Sequence, residues 1–252
     1  MLNDNKIEVH LHLWYEKSSI YLLKKISKQW NGRINISLIE DAQSNKEILN
    51  CANDLFAEVQ TVYCENKGSD QSGFYESLKA NNESKEWVFY AHDKSEDKIP
   101  WLDQIVDPIL QSSKINACIE EENVGIISSG NPKRLSSLLT EEYLVKLDKQ
   151  TKKKDKLAIV LSRQTLVWLR ELQYILYDTH GLIDKENLNF KFTAGTMFLI
   201  RSNVLKITHD CIHQDFFPSC YRVDGDVTHA LERFYYYVSI CLGLQNYFVQ
   251  EV

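Results

Sequence analysis

Residues 7–13 read Ile-Glu-Val-His-Leu-His-Leu, apolar and polar in alternation, and a period of two predicts a strand. The same period returns at residues 34–39 and, over a shorter run, at 59–63. Between them lie helical patterns. Ile20, Leu22, Leu23 and Ile26 share one face, with Ser18 or Ser19 placed to cap it, and residues 45–55 form a second helix. Residues 87–91 are apolar throughout, as a strand buried on both faces requires, and residues 124–129 make another short strand. Helical spacing recurs at 74–78, 99–110 and 166–177, and Val204 and Leu205 open a further helix. Strands alternating with helices in this way predict a βαβ sheet, with right-handed connections and ligands at the carboxyl ends of its strands.

The stretch 223–233 carries the densest chemistry. Val227, Ala230, Leu231, Phe234 and Val238 fall on one apolar helix face, and Asp226 stands just before them as an N-cap. His229 lies three residues from Glu232 and four from Arg233, so these polar groups are neighbours on one side. Taken alone, this is a capped amphipathic helix with paired charges.

Three other polar segments follow or precede predicted strands. Asn66, Lys67, Gly68 and Asp70 lie in a glycine-containing loop after the strand at 59–63, where backbone N–H groups and Lys67 could receive a phosphate. The loop matches no G-x-G-x-x-G or P-loop pattern, and a capped βα loop is the plainer reading. His92, Asp93, Lys94 and Ser95 follow the strand at 87–91 and suit a diphosphate, a metal or an ion-pair cluster. One carboxylate beside a lysine is a poor divalent site, because hard cations take several oxygen ligands. Gly195 and Thr196 precede an apolar strand that ends at Arg201, and the glycine admits a close approach to the backbone.

Composition narrows the class. A chain of 252 residues with 44% hydrophobic and 25% charged residues is ordinary for a globular protein, and no composition break divides it, so residues 1–252 are read as a single domain. A net charge of −6 argues against nucleic acid as a partner. Thirteen Tyr and five Trp suit a site that stacks a nucleobase or a sugar face. The six Cys form no C-x-x-C pair, which favours free thiols in a reducing, cytoplasmic setting over a disulfide scaffold or a zinc site. No signal peptide is visible and no run of about 18 apolar residues exists, so the chain is expected to be soluble. Lys152, Lys153, Lys154 and Lys156 read as a solvated face, with a peripheral membrane contact as the minority reading.

Taken in order, several segments resemble the rhamnan synthesis protein F family: residues 9–15, 66–70 with Phe74, 92–95, 124–126, 192–198, and Asp224 and Gly225 with His229, Ala230, Leu231, Glu232 and Arg233. Lys67 and Ser69 depart from it, standing where the family has arginines, which alters the phosphate contacts. The resemblance implies a GT-A-type glycosyltransferase: one α/β domain with a mostly parallel central sheet flanked by helices and a nucleotide-sugar donor over the strand ends. The sugar, rhamnose for such a family, would pass to a glycan or lipid-linked glycan acceptor at the inner face of the membrane, in the building of a surface polysaccharide. It also implies a base near the start of the late helix. Asp224 is the first choice, Asp226 the second, and His229 orients the acid. Asn66, Lys67, Gly68, Asp70, His92, Asp93, Lys94, Gly195 and Thr196 would face the donor, with Lys94 or Arg201 supplying positive charge. No cofactor is predicted, and dependence on Mg2+ or Mn2+ is expected to be weak or absent. The alternative is a non-catalytic module of the same fold that binds a nucleotide-sugar or carbohydrate, and a pure scaffold stands behind that.

Overall fold

The alternation at residues 7–13 folds into β1 (Ile7–Leu13), and both of its faces are buried. The computed structural model describes residues 5–66, 69–81, 85–111, 115–130, 135–137, 156–183, 190–218 and 226–249. Ile7, Val9 and Leu11 enter a core shared with Leu22, Leu23 and Ile26 of α1 (Glu16–Ser27) and with Ile48 and Ala52 of α2 (Asn45–Leu55). On the opposite face Glu8, His10 and His12 are buried as well, under α3 (Ser69–Ala80). They are tolerated there because they are paired: His10 Nε2 lies 3.0 Å from Glu8 Oε1 and His10 Nδ1 lies 2.8 Å from Ser77 Oγ.

Seven strands make one sheet in the order β3-β2-β1-β4-β8-β5-β9. These are β1, β2 (Arg33–Ile39), β3 (Glu58–Cys64), β4 (Trp87–His92), β5 (Val124–Ser129), β8 (Phe198–Arg201) and β9 (Gln245–Val249). β1 pairs in parallel with β2 and β4, β2 with β3, and β5 with β9. β8 runs antiparallel between β4 and β5, so the α/β sheet is mostly parallel rather than wholly so. A small separate ladder joins β6 (Leu135–Ser137) to β7 (Lys191–Thr193). The other helices are α4 (Ile99–Gln111), α5 (Ile115–Cys118), α6 (Lys156–His180), α7 (Ser202–Asp210) and α8 (Val227–Cys241).

From β1 the chain winds outward through β2 to β3 and then returns to place β4 on the other side of β1. That reversal is the switch point of the sheet, and open α/β sheets bind ligands in a crevice at such a point, beyond the carboxyl ends of the strands, here β1 and β4. His12 and His92 are register partners at that edge.

The described cysteines, Cys51, Cys64, Cys118, Cys211 and Cys241, are all free thiols. Among the described residues no helix is long and apolar enough to cross a membrane. The Lys152–Lys154 segment lies outside the described residues.

Candidate functional site at the switch point

His92 closes β4 with both ring nitrogens against carbonyl oxygens, Nδ1 at 3.0 Å from Asp93 O and Nε2 at 2.8 Å from Gly195 O. Only the doubly protonated ring could donate to both, and Asp70 Oδ2 at 3.5 Å favours that form. Burial outweighs these contacts and pulls His92 down to about 4. His12 beside it is also buried, 3.0 Å from Ser37 Oγ, and burial lowers it to about 4 against the pull of Asp70. The two imidazoles are therefore neutral at pH 7. His12 can occupy its place only because the facing residue of α3 is Gly73: a Cβ there would stand 2.1 Å from His12 Nδ1.

Asp70 lies in the first turn of α3, which begins five residues earlier than the spacing at 74–78 indicates. Its carboxylate also accepts from Gln71 Nε2 at 2.9 Å, and its field favours the charged forms of His12, His92 and Lys94. The Lys94 ammonium is lowered chiefly by burial, while Asp70, Glu232 and Asp93 act to raise it. Among the described residues no carboxylate comes within salt-bridge distance of Lys94 Nζ. It is a cation held among acids without being consumed by any of them.

The turn before β8 closes the other wall. Gly195 and Thr196 both have positive φ, 109° and 43°, a conformation unfavourable for threonine. Glu232 of α8 holds the turn: its Oε1 accepts from Gly195 N at 3.2 Å and from Thr196 Oγ1 at 3.1 Å. The contacts thus run from Asp70 to His92, to Gly195, to Glu232, and bring the face of α8 that carries Glu232 over the switch point. His229 and Asp226 precede Glu232 at three-residue steps, so they share that side of the helix. Asp226 is the N-cap, with Oδ1 accepting from Thr228 N at 3.0 Å, from Thr228 Oγ1 and from His229 Nδ1 at 2.9 Å. Its Oδ2 is buried and has no hydrogen-bond partner among the described residues.

Several residues expected at a donor site prove to be elsewhere or otherwise engaged. Asp93 is buried and committed to the start of α1: its Oδ2 accepts from Trp14 N at 3.0 Å, from Tyr15 N and from Ser19 Oγ at 2.8 Å. Asp93 thus anchors the chain entering α1, which has no side-chain cap; Ser18 and Ser19 lie inside the helix and do not cap it as expected, and Ser18 Oγ instead accepts from Lys94 N at 3.1 Å. Burial raises Asp93 to about 6, against the bonds from Trp14, Ser19 and Tyr15 that lower it. Arg201 is the register partner of Trp87, at the amino end of β4 and so at the far edge of the sheet from His92. Its guanidinium binds Glu86, Glu121 O and Val124 O and stacks on Trp87, so it is not brought to the strand ends. Asn66 is exposed in the loop before α3, while Lys67, Gly68 and Asp224 lie outside the described residues.

His12 and Glu232 join the site without having been singled out for it. The signal for His12 was its parity with Glu8 and His10 on β1 together with its place at the strand's carboxyl end. For Glu232 it was the three-residue step from His229. Among the described residues no group of three or more His, Cys, Asp or Glu is arranged to hold a metal ion.

The sequence model of a family described as rhamnan synthesis protein F matches residues 1–243. No curated protein matches the chain.

Proposed function

The chain belongs to the rhamnan synthesis protein F family, and from that premise we propose that it is a GT-A-type glycosyltransferase acting in rhamnan synthesis. It moves a sugar, rhamnose in the simplest case, from a nucleotide-sugar donor to a growing surface glycan. The observation that carries this reading is the run of contacts Asp70–His92–Gly195–Glu232, which sets α8, with Asp226 at its head, over the crevice at the switch point.

Transfer requires a base for the acceptor hydroxyl and positive charge for the departing diphosphate. Lys94 is the cation at the crevice whose ammonium no neighbouring carboxylate pairs, and it takes the diphosphate. Asp226 takes the proton through Oδ2, which has no hydrogen-bond partner among the described residues, while Oδ1 stays with Thr228 and His229. The bond from the sugar's anomeric carbon to the diphosphate breaks, the bond to the acceptor oxygen forms, and the proton passes to the carboxylate. Asp224, two residues earlier, is the other acid in this role. Dependence on a divalent ion is weak, Lys94 supplying the charge.

The test is donor turnover with a nucleoside-diphosphate-rhamnose and a rhamnose oligosaccharide acceptor, in the wild type, Asp224→Asn and Asp226→Asn. Loss in at least one variant with nucleotide binding retained supports the reading. Full activity in both contradicts the assignment of the base to this stretch. The second reading, a module that binds nucleotide-sugar without turning it over, is favoured by the commitment of Asp93 to α1 and the removal of Arg201 from the strand ends. It predicts binding without turnover in the wild type.

A further inference from the structure

At the amino end of the sheet, the edge opposite the switch point, a cavity of about 450 Å3 opens between α3 and α7. That volume falls in the usual range of small-molecule sites, roughly 300–1,000 Å3. Its lining includes Glu8 of β1, Val88 of β4, Tyr75 of α3, and Asn203 and Leu205 of α7.

Glu8 is the feature that points to a ligand. It is only 7% exposed, yet it lines the cavity. The relay behind it fixes one oxygen: with the proton on His10 Nε2, that nitrogen donates to Glu8 Oε1 at 3.0 Å and Nδ1 accepts from Ser77 Oγ at 2.8 Å. Among the described residues the second oxygen, Oε2, has no hydrogen-bond partner. Oε2 is the end by which this otherwise buried side chain meets the cavity, an acceptor presented to whatever enters it. At the rim, exposed Asn203 uses its Oδ1 on Val204 N at 2.8 Å and keeps its NH2 uncommitted. Tyr75, Val88 and Leu205 give the cavity an aromatic and aliphatic wall, and Lys79, Lys206 and Asp210 line it as well.

We propose that this cavity binds a monosaccharide residue, which donates a hydroxyl to Glu8 Oε2 and lays its less polar ring face against Tyr75. An acceptor oxygen at the floor, an amide donor at the rim and an apolar wall match a hydroxylated ring, because such a ring has polar edges and a C–H face. The site lies at the other edge of the sheet from the crevice assigned to transfer, and it does not depend on the transfer reaction. A chain that turns over no donor would still bind here.

The experiment is saturation-transfer NMR on the whole chain, with L-rhamnose, rhamnose 1-phosphate and inorganic phosphate as separate probes. The wild type is expected to bind both rhamnose probes. Glu8→Gln is expected to weaken them at least about tenfold, and Asn203→Ala, at an exposed position outside the core, by several-fold. Circular dichroism checks that Glu8→Gln is folded, and Asn203→Ala carries the test if it is not. Three results would overturn the proposal: no rhamnose binding by the wild type, binding of inorganic phosphate alone, or rhamnose binding that survives Glu8→Gln and Asn203→Ala but is lost in Asp226→Asn.

Discussion

Asp226 Oδ1 lies 2.9 Å from His229 Nδ1, one helical turn on, while the other oxygen of the same carboxylate is buried and has no hydrogen-bond partner among the described residues. Burial acts to raise Asp226, but the bonds from His229 and Thr228 outweigh it and hold the group below the ordinary carboxylate range. The carboxylate is therefore ionised at neutral pH and half used. An N-cap needs one oxygen, and the second, left dry, costs on the order of 1–3 kcal/mol until something donates to it. An acceptor hydroxyl would do so.

Gly73→Ala separates packing from helix propensity. In an ordinary helix interior the change gains up to about 1 kcal/mol. Here the added Cβ would fall 2.1 Å from Nδ1 of the buried His12 ring. The ring must shift and lose Ser37, so a net loss of about 2 kcal/mol is expected, measurable by urea denaturation. An unchanged or raised midpoint would show that His12 is not fixed by α3.

Acid should destabilise the protein well before its carboxylates are neutralised. His12 and His92 are lowered to about 4 and His209 to about 3, all chiefly by burial, from the ordinary 6.5. The unfolded chain takes up protons that these neutral rings refuse, so their stabilisation is full above pH 6.5 and is lost as pH falls toward 4, on the order of 3 kcal/mol for each ring. Asp93 works the other way. Its folded value of about 6 lies above 3.8, so it disfavours the fold as pH rises between those values. Three rings outweigh one acid, by roughly 4 kcal/mol between pH 7 and pH 5. Melting temperature should fall by on the order of 10 °C over that interval. A flat profile would contradict the burial of these rings as neutral groups.

The fold could be read from the sequence where period and length agreed. β1 at residues 7–13, α2 at 45–55 and β5 at 124–129 coincide with their patterns, because each is a full-length element with unambiguous spacing. What escaped was set by partners distant in the chain. β8 is an apolar strand like any other, and nothing local says that it enters antiparallel between β4 and β5. Asp93 beside Lys94 suits a diphosphate, a metal or an ion-pair cluster when read in sequence, yet its partners are Trp14, Tyr15 and Ser19, more than 70 positions away. Arg201 looked available until its register with Trp87 put it at the wrong edge. Asp226 was legible as a cap from the residues around it. Its unpartnered oxygen was not, since an empty hydrogen-bond site has no pattern.

Glu232→Ala should loosen the turn it holds. The carboxylate meets Gly195 N and Thr196 Oγ1 at two left-handed residues, and removing it leaves the strain without its restraint. A loss of about 2 kcal/mol in urea denaturation is expected, with weaker nucleotide binding because the wall of the crevice moves. Wild-type stability would mean that the turn is held by its own packing.

Lys94→Met keeps most of the stem and deletes the charge. If Lys94 faces the diphosphate, affinity for a nucleoside diphosphate should drop by about tenfold or more, and Mg2+ should change the wild-type affinity little. Calorimetry reads both. Unaltered binding in the variant, or wild-type binding that appears only with Mg2+, would remove Lys94 from its assigned role.

The most direct measurement is turnover of a nucleoside-diphosphate-rhamnose by the wild type and by Asp226→Asn, with nucleotide-induced thermal stabilisation followed in parallel. Asparagine caps a helix nearly as well as aspartate, so fold and nucleotide binding should persist. The account predicts that transfer falls by about 100-fold or more. Undiminished transfer in Asp226→Asn would contradict the assignment of the base to Asp226.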